Sequence, residues 1–311
     1  MTYVDTAEPS TGRSSVETPP AVTFSLGVGE STGAGLQRIL VEQADLGTWH
    51  LERAQLSDIH VHEVRKATKR VRAVLRMLGD DIDSRDYTSL NVEVRDLARE
   101  LSEIRSAVVQ VELLGSLVAE DEKLTIATSG LRGELVAVAD KQRQGLDDSE
   151  VDGLSLRFAS VRSGIDEIEF HDDATTSLGG VRRTYKRGRR SMTHAYAVPT
   201  VESFHIWRKQ VKYLRHQMEI LQSVGIPRIP DFVADLEEIG EGLGGDHDLA
   251  DLERTADTVA VGTLSSSTRR QLKEVIDTRR SGLELKLKPI AARVYGANPG
   301  AFAEQVIPRF V

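Results

Sequence analysis

The sequence predicts an all-α, internally duplicated fold, a duplication that invites pseudo-twofold packing of two helical halves across a shared basic groove. Three observations carry that prediction. Apolar residues recur at helical spacing through most of the chain, and no segment alternates apolar and polar residues between hairpin turns as a strand would. Aromatic residues make up only 5% of the chain, while the helix formers Leu, Ala, Glu and Arg are abundant. Finally, a cationic amphipathic segment occurs twice.

That segment reads HEVRKATKRVRAVLRML at residues 62–78 and HIWRKQVKYLRHQMEIL at residues 205–221, without a gap between the copies. Counted from His62 and His205, Arg65 and Arg208 stand at +3, Lys66 and Lys209 at +4, Lys69 and Lys212 at +7, and Arg72 and Arg215 at +10. At about 100° per residue these offsets fall within an arc of roughly 120°. Arg76 joins the arc in the first copy and His216 in the second, and Arg70 lies beside it. Val64, Val71, Leu75 and Leu78 take the opposite face of the first copy; Trp207, Leu214, Met218 and Leu221 take that of the second. Each copy is therefore a helix with one face for a core and the other almost purely cationic.

The elements follow in order. Residues 1–33, rich in Ser, Thr, Pro, Gly and Glu, read as a disordered tail. A helix spans 36–52. The first basic helix follows, with Ser57 or Asp58 as N-cap and Gly79 as its stop. Ser84 caps a long helix to residue 118, with its apolar stripe at Leu90, Val94, Leu97, Leu101, Ile104 and Val108. Further helices cover 122–144 and 154–170. Gly179-Gly180 marks the middle, after which helices span 181–197 and 201–224 and one opens at Asp231; two more fill 265–295. Residues 240–245 satisfy G-x-G-x-x-G, but no strand precedes them, and they read as a helix end and turn with Asp246 or Asp248 capping the next helix. The domain is placed at 34–311, with halves at 34–178 and 179–300. A second correspondence supports the repeat: residues 101–106 (LSEIRS) align with 243–248 (LGGDHD) at an offset one shorter than that of the basic segments.

Charge sharpens the picture. The net charge is −8, yet residues 62–76 carry +5, residues 205–216 carry +4 and residues 182–190 carry +6, leaving the rest of the chain at −23. An acidic body with concentrated cationic segments suits a focused anion site better than a sticky surface. There is no cysteine, which excludes disulfides, thiolate metal sites and cysteine nucleophiles. No basic start with an apolar core opens the chain and no apolar run of 18 residues occurs, so a soluble cytoplasmic protein is expected.

Arginine forks, compact lysine charges and histidine donors repeated along about 15 Å of helix suit a linear polyanion more than a single carboxylate. The cluster at 182–190 adds Arg182, Lys186, Arg189 and Arg190, with Tyr185 as a hydroxyl donor. The histidines at 60, 62, 205 and 216 raise a metal reading, but their cationic neighbours repel a metal ion. No metal site, cofactor or catalytic constellation is expected.

A duplicated histidine followed by Arg and Lys at +3, +7 and +10 resembles the CHAD family, the conserved histidine α-helical domain. The resemblance rests on H-x-x-R-x-x-x-K-R-x-R at His62, H-x-x-R-x-x-x-K-x-x-R at His205, Y-K-R-G-R-R at Tyr185 and L-G-G-D-H-D at Leu243. It implies two pseudo-symmetric four-helix bundles around a basic channel that binds inorganic polyphosphate, and an association with polyphosphate granules. Two departures stand out: Arg105-Ser106 where the family shows Arg-Asp, and Tyr213 where a basic residue is common. The expected function is non-enzymatic polyphosphate binding. The alternatives are a nucleic-acid-binding helical protein, a metal-dependent phosphoanhydride hydrolase, or a helical scaffold for acidic partners.

Overall fold

The computed structural model describes residues 18–53, 57–103, 106–143, 148–169, 174–258 and 263–306. Among these residues there are twelve α-helices and no strand. They are α1 (Thr32–Leu51), α2 (Asp58–Leu78), α3 (Ser84–Glu103), α4 (Ser106–Val118), α5 (Glu122–Ala127), α6 (Ser129–Arg143), α7 (Asp148–Asp166), α8 (Ala174–Ala197), α9 (Val201–Leu221), α10 (Ile229–Thr258), α11 (Ser266–Tyr295) and α12 (Pro299–Val306).

Packing divides the helices into two groups of four. Helices α1, α2, α3 and α7 close on one another, as do α8, α9, α10 and α11, and α2 packs against both α8 and α9 to join the groups. One apolar core runs through both, from Leu36, Val71, Leu97 and Phe158 to Trp207, Leu214, Ile239 and Ile290. A second core lies where α4, α5 and α6 meet the later part of α10 and the earlier part of α11, around Leu114, Leu124, Leu135, Leu252 and Ile276.

Several expected elements are corrected. The helix expected over 84–118 is two. Leu90, Val94, Leu97 and Leu101 face the main core, whereas Leu114 and Val118 belong to the second. At about 100° per residue the later pair lies well round the helix from the earlier stripe, so one straight rod cannot serve both cores. The helix expected over 122–144 breaks at Thr128, whose buried hydroxyl donates to the carbonyl of Leu124. Gly179-Gly180 does not separate elements but lies inside α8. Gly240 to Gly245 is not a turn either, for α10 runs through it unbroken. The two helices expected over 265–295 are one, with Pro289 inside it, and α12 was not anticipated.

The tail assigned to residues 1–33 is corrected from residue 18 on. Residues 1–17 lie outside the described part of the chain, but the following stretch is strapped down. Leu26 is buried, and Phe24 packs on the main core. Arg38 of α1 ties the strap by donating to the carbonyls of Thr23 and Ser25 and to Glu30.

Two glycines set how the helices that carry the charge are held. Gly79 ends α2 at φ +52°, a conformation that favours glycine, and its N–H donates to the carbonyl of Leu75. Gly180 lets α8 pass against the end of α2, since a Cβ there would collide with the carbonyl oxygen of Met77.

Candidate anion-binding site between α2 and α9

The two basic helices touch. The side-chain amide of Gln217 on α9 donates to the backbone carbonyl of Ala73 on α2 at 3.1 Å, and both residues are fully buried. The apolar faces of both helices go into the main core, as their sequence pattern predicts: Val64, Val71, Leu75, Trp207, Leu214 and Met218 are all buried. Their cations are thereby brought around the contact.

One cluster, whose charges act on one another, holds Arg65 and Lys69 of α2 with Arg208 and Lys212 of α9. Burial, reinforced by Arg208, Lys69 and Arg65, pushes the Lys212 ammonium down to about 6, with Asp248 of α10 opposing them. Burial likewise lowers Arg208, against the pull of Asp248, Asp251 and Asp246. Arg65 is anchored from below by donating to the carbonyl of Leu101 at 2.7 Å. His205 stands beside His247 of α10, their rings 4.5 Å apart. Burial and the neighbouring Lys209, His247, Arg208 and Lys212 push His205 down to about 4. The His247 Nε2 lies 3.4 Å from Asp251.

Around this cluster the remaining predicted residues divide. Arg72 and Arg76 share the side-chain oxygen of Asn91 on α3, and the Arg76 guanidinium lies 3.9 Å over the Tyr213 ring. Arg215 is instead paired with Glu219 and Glu237, at 2.7 and 3.2 Å. His216 is buried and hydrogen-bonded through Nδ1 to Glu219 at 2.8 Å. Burial alone would raise the Glu219 carboxyl, but the bonds from His216 and Arg215 hold it at about 2. Arg70 lies beside this acid with Phe24 of the strap over its guanidinium at 4.3 Å. His62 and Lys209 are exposed, and Lys66 pairs with Glu63 on its own helix.

The 182–190 cluster does not join the site. Tyr185, read as a ligand donor, is fully buried; its hydroxyl donates to the carbonyls of Ala297 and Val294, and its ring stacks on Phe302. Arg189 donates to the carbonyl of Tyr295. Arg182, Lys186 and Arg190 are exposed, and no α8 residue is among the charges that act most on Lys212, Arg208 or His205. The physical reason is that α8 buries its Tyr185 and Gly188 face against α11 and α12, which turns Arg182, Lys186 and Arg190 outward, while Arg183 lies partly buried against Gly79 at the end of α2. Sequence reasoning in turn missed Asn91, His247, Asp248 and Glu219 as members. Glu219 was legible, since it stands at the same offset from His205 as Arg76 from His62. The counterpart expected at Arg105 and Ser106 falls outside the described side chains.

The model of the CHAD domain matches residues 43–257 of this chain. The chain belongs to the CHAD domain family. The match takes in both cationic CHAD helices and the His247 and Asp248 that stand against them. Two solved structures share the fold. "PptA from Streptomyces chartreusis" superposes with a TM-score of 0.61 at 16% identity, covering 86% of this chain and all of that one. The CHAD domain from the plant Ricinus communis gives 0.52 at 17%, covering 93% of this chain and 96% of that one. No curated protein matches. Among the described residues of this CHAD domain, no helix is long and apolar enough to cross a membrane, and no group of three or more His, Asp or Glu could hold a metal ion.

Proposed function

We propose that this CHAD domain binds inorganic polyphosphate, a linear polyanion, between α2 and α9 without acting on it chemically. The observation that carries the reading is the convergence on Lys212 of Arg65 and Lys69 from one helix and Arg208 from the other. Gathering like charges in a partly enclosed place costs stability, and a multivalent anion relieves that cost. Spaced cations on two elements suit repeated phosphate units, in keeping with what the family resemblance implies; the duplication of two four-helix halves, and association with polyphosphate granules in the cytoplasm, belong to the same proposal.

The test is retention of long-chain polyphosphate by the variant R65A/K69A/R208A/K212A. We expect binding to be lost while helical circular dichroism is kept; retention equal to wild type sinks the reading. Affinity should also fall steeply with salt, because each neutralised phosphate releases counterions. Competition with single-stranded RNA and DNA at matched phosphate concentration separates this reading from nucleic-acid binding, for which bases would stack on exposed aromatics, and among the described residues no Phe, Tyr or Trp is exposed. Incubation with Mg²⁺ or Mn²⁺ and measurement of released phosphate tests the hydrolase alternative.

A further inference from the structure

The two cationic helices present the same spacing but are held by opposite chemistry. On α2, Lys69 is followed by Arg72 and Arg76; on α9, Lys212 is followed by Arg215 and Glu219, at the same steps of three and seven. Such steps keep three side chains on one stripe of a helix. Everything that fixes Arg72 and Arg76 is neutral: the Asn91 side-chain oxygen, the Tyr213 ring and, for Arg76, the carbonyl of Arg72. No carboxylate among the described residues lies within ion-pair distance of either, and both are partly exposed. Their charge is positioned but uncompensated.

The α9 stripe is the reverse. Arg215 is taken by Glu219 and Glu237, and Glu219 also accepts from His216 and faces Arg70. Arg70 is further covered by Phe24, while its Nε is buried without a hydrogen-bond partner. A phosphate arriving here meets a carboxylate held in its charged form and arginines whose forks are already occupied or covered.

We infer that Glu219 is a specificity-determining residue that gives the site a direction: a bound phosphate chain extends from the Lys69 and Lys212 cluster along Arg72 and Arg76 of α2, and is turned away from Arg215 and Arg70. The inference rests on the polyphosphate reading of the same cluster. Asn91 and Tyr213 are the positioning residues of the open stripe.

The experiment compares four variants for binding of long-chain polyphosphate across a salt series, each checked by thermal melting. R76A is expected to weaken binding about tenfold, the loss of one charge-assisted contact. R215Q is expected to change affinity by less than about twofold, because that charge is already compensated. E219Q should tighten binding and steepen the salt dependence by roughly one further phosphate contact, a slope change of about 0.7 for a single strand. Adding R215Q to E219Q should remove the gain. Equal losses in R76A and R215Q, or an E219Q variant that melts normally and binds with unchanged salt slope, would overturn the inference. Absence of binding by the wild-type chain is a different result, since it fails the polyphosphate reading itself.

Discussion

The side-chain amide of Gln217 donates to the carbonyl of Ala73 across the contact between α2 and α9, at 3.1 Å and out of reach of water. It is a fully buried polar link between the two helices, and it fixes how the two cationic faces meet. The Q217A variant loses this bond and leaves a small void, so unfolding in urea should show a loss of about 1–3 kcal/mol. Polyphosphate affinity should fall with it, since Arg208 and Lys212 lose their setting against Lys69. Stability equal to wild type would show that the link contributes nothing.

Lys212 makes binding depend on pH. Its ammonium is held down to about 6 by burial and by Arg208, Lys69 and Arg65, against an ordinary lysine value near 10.4 in the unfolded chain. Between those two values the unfolded chain carries the extra proton, so stability of the unliganded protein rises with pH across that window. A bound polyanion favours the charged ammonium, so affinity falls as pH rises from 6. Calorimetry at pH 8 in two buffers of different ionisation enthalpy should report proton uptake on binding, and the K212R variant should bind without it. His205, already neutral at that pH, does not obscure the measurement.

Tyr185 separates a structural role from a binding one. Its hydroxyl donates to Ala297 and Val294 carbonyls inside the core, and burial pushes it up to about 12. Y185F should lower stability by about 1 kcal/mol and leave polyphosphate affinity unchanged. A binding defect in a stably folded Y185F protein would return α8 to the site.

The arginine pair on α2 depends on Asn91. Its oxygen accepts from both Arg72 and Arg76. In N91A both guanidiniums lose their shared anchor without losing charge, so binding should weaken by a few-fold, about 1 kcal/mol, while the salt slope stays that of wild type. N91D, which puts a carboxylate between them, should weaken binding more and flatten the slope.

Much of this was legible in the chain itself. The period of the apolar residues specified helices, because only one face of each could be buried, and Val71, Leu75, Trp207 and Leu214 are buried as read. The Arg and Lys spacing specified which side chains share a face of α2 and of α9, since that depends on helix geometry alone. Residue type and local spacing decide such things, and both are written in order along the chain.

What lies across from each face is another matter, set by packing between helices far apart in the chain. Tyr185 and Arg215 resemble their predicted neighbours in sequence, yet one is sealed against α12 and the other, paired with Glu219 on its own helix, is also held by Glu237, 22 residues further on. The continuous α10 brings His247 and Asp248 to His205 and Arg208, although a glycine-rich stretch read as a turn. Compensation of a charge depends on which carboxylate packing delivers to it. Local spacing placed the cations on α2 and α9; the packing of α3, α10 and the strap decided which of them remain open to an anion.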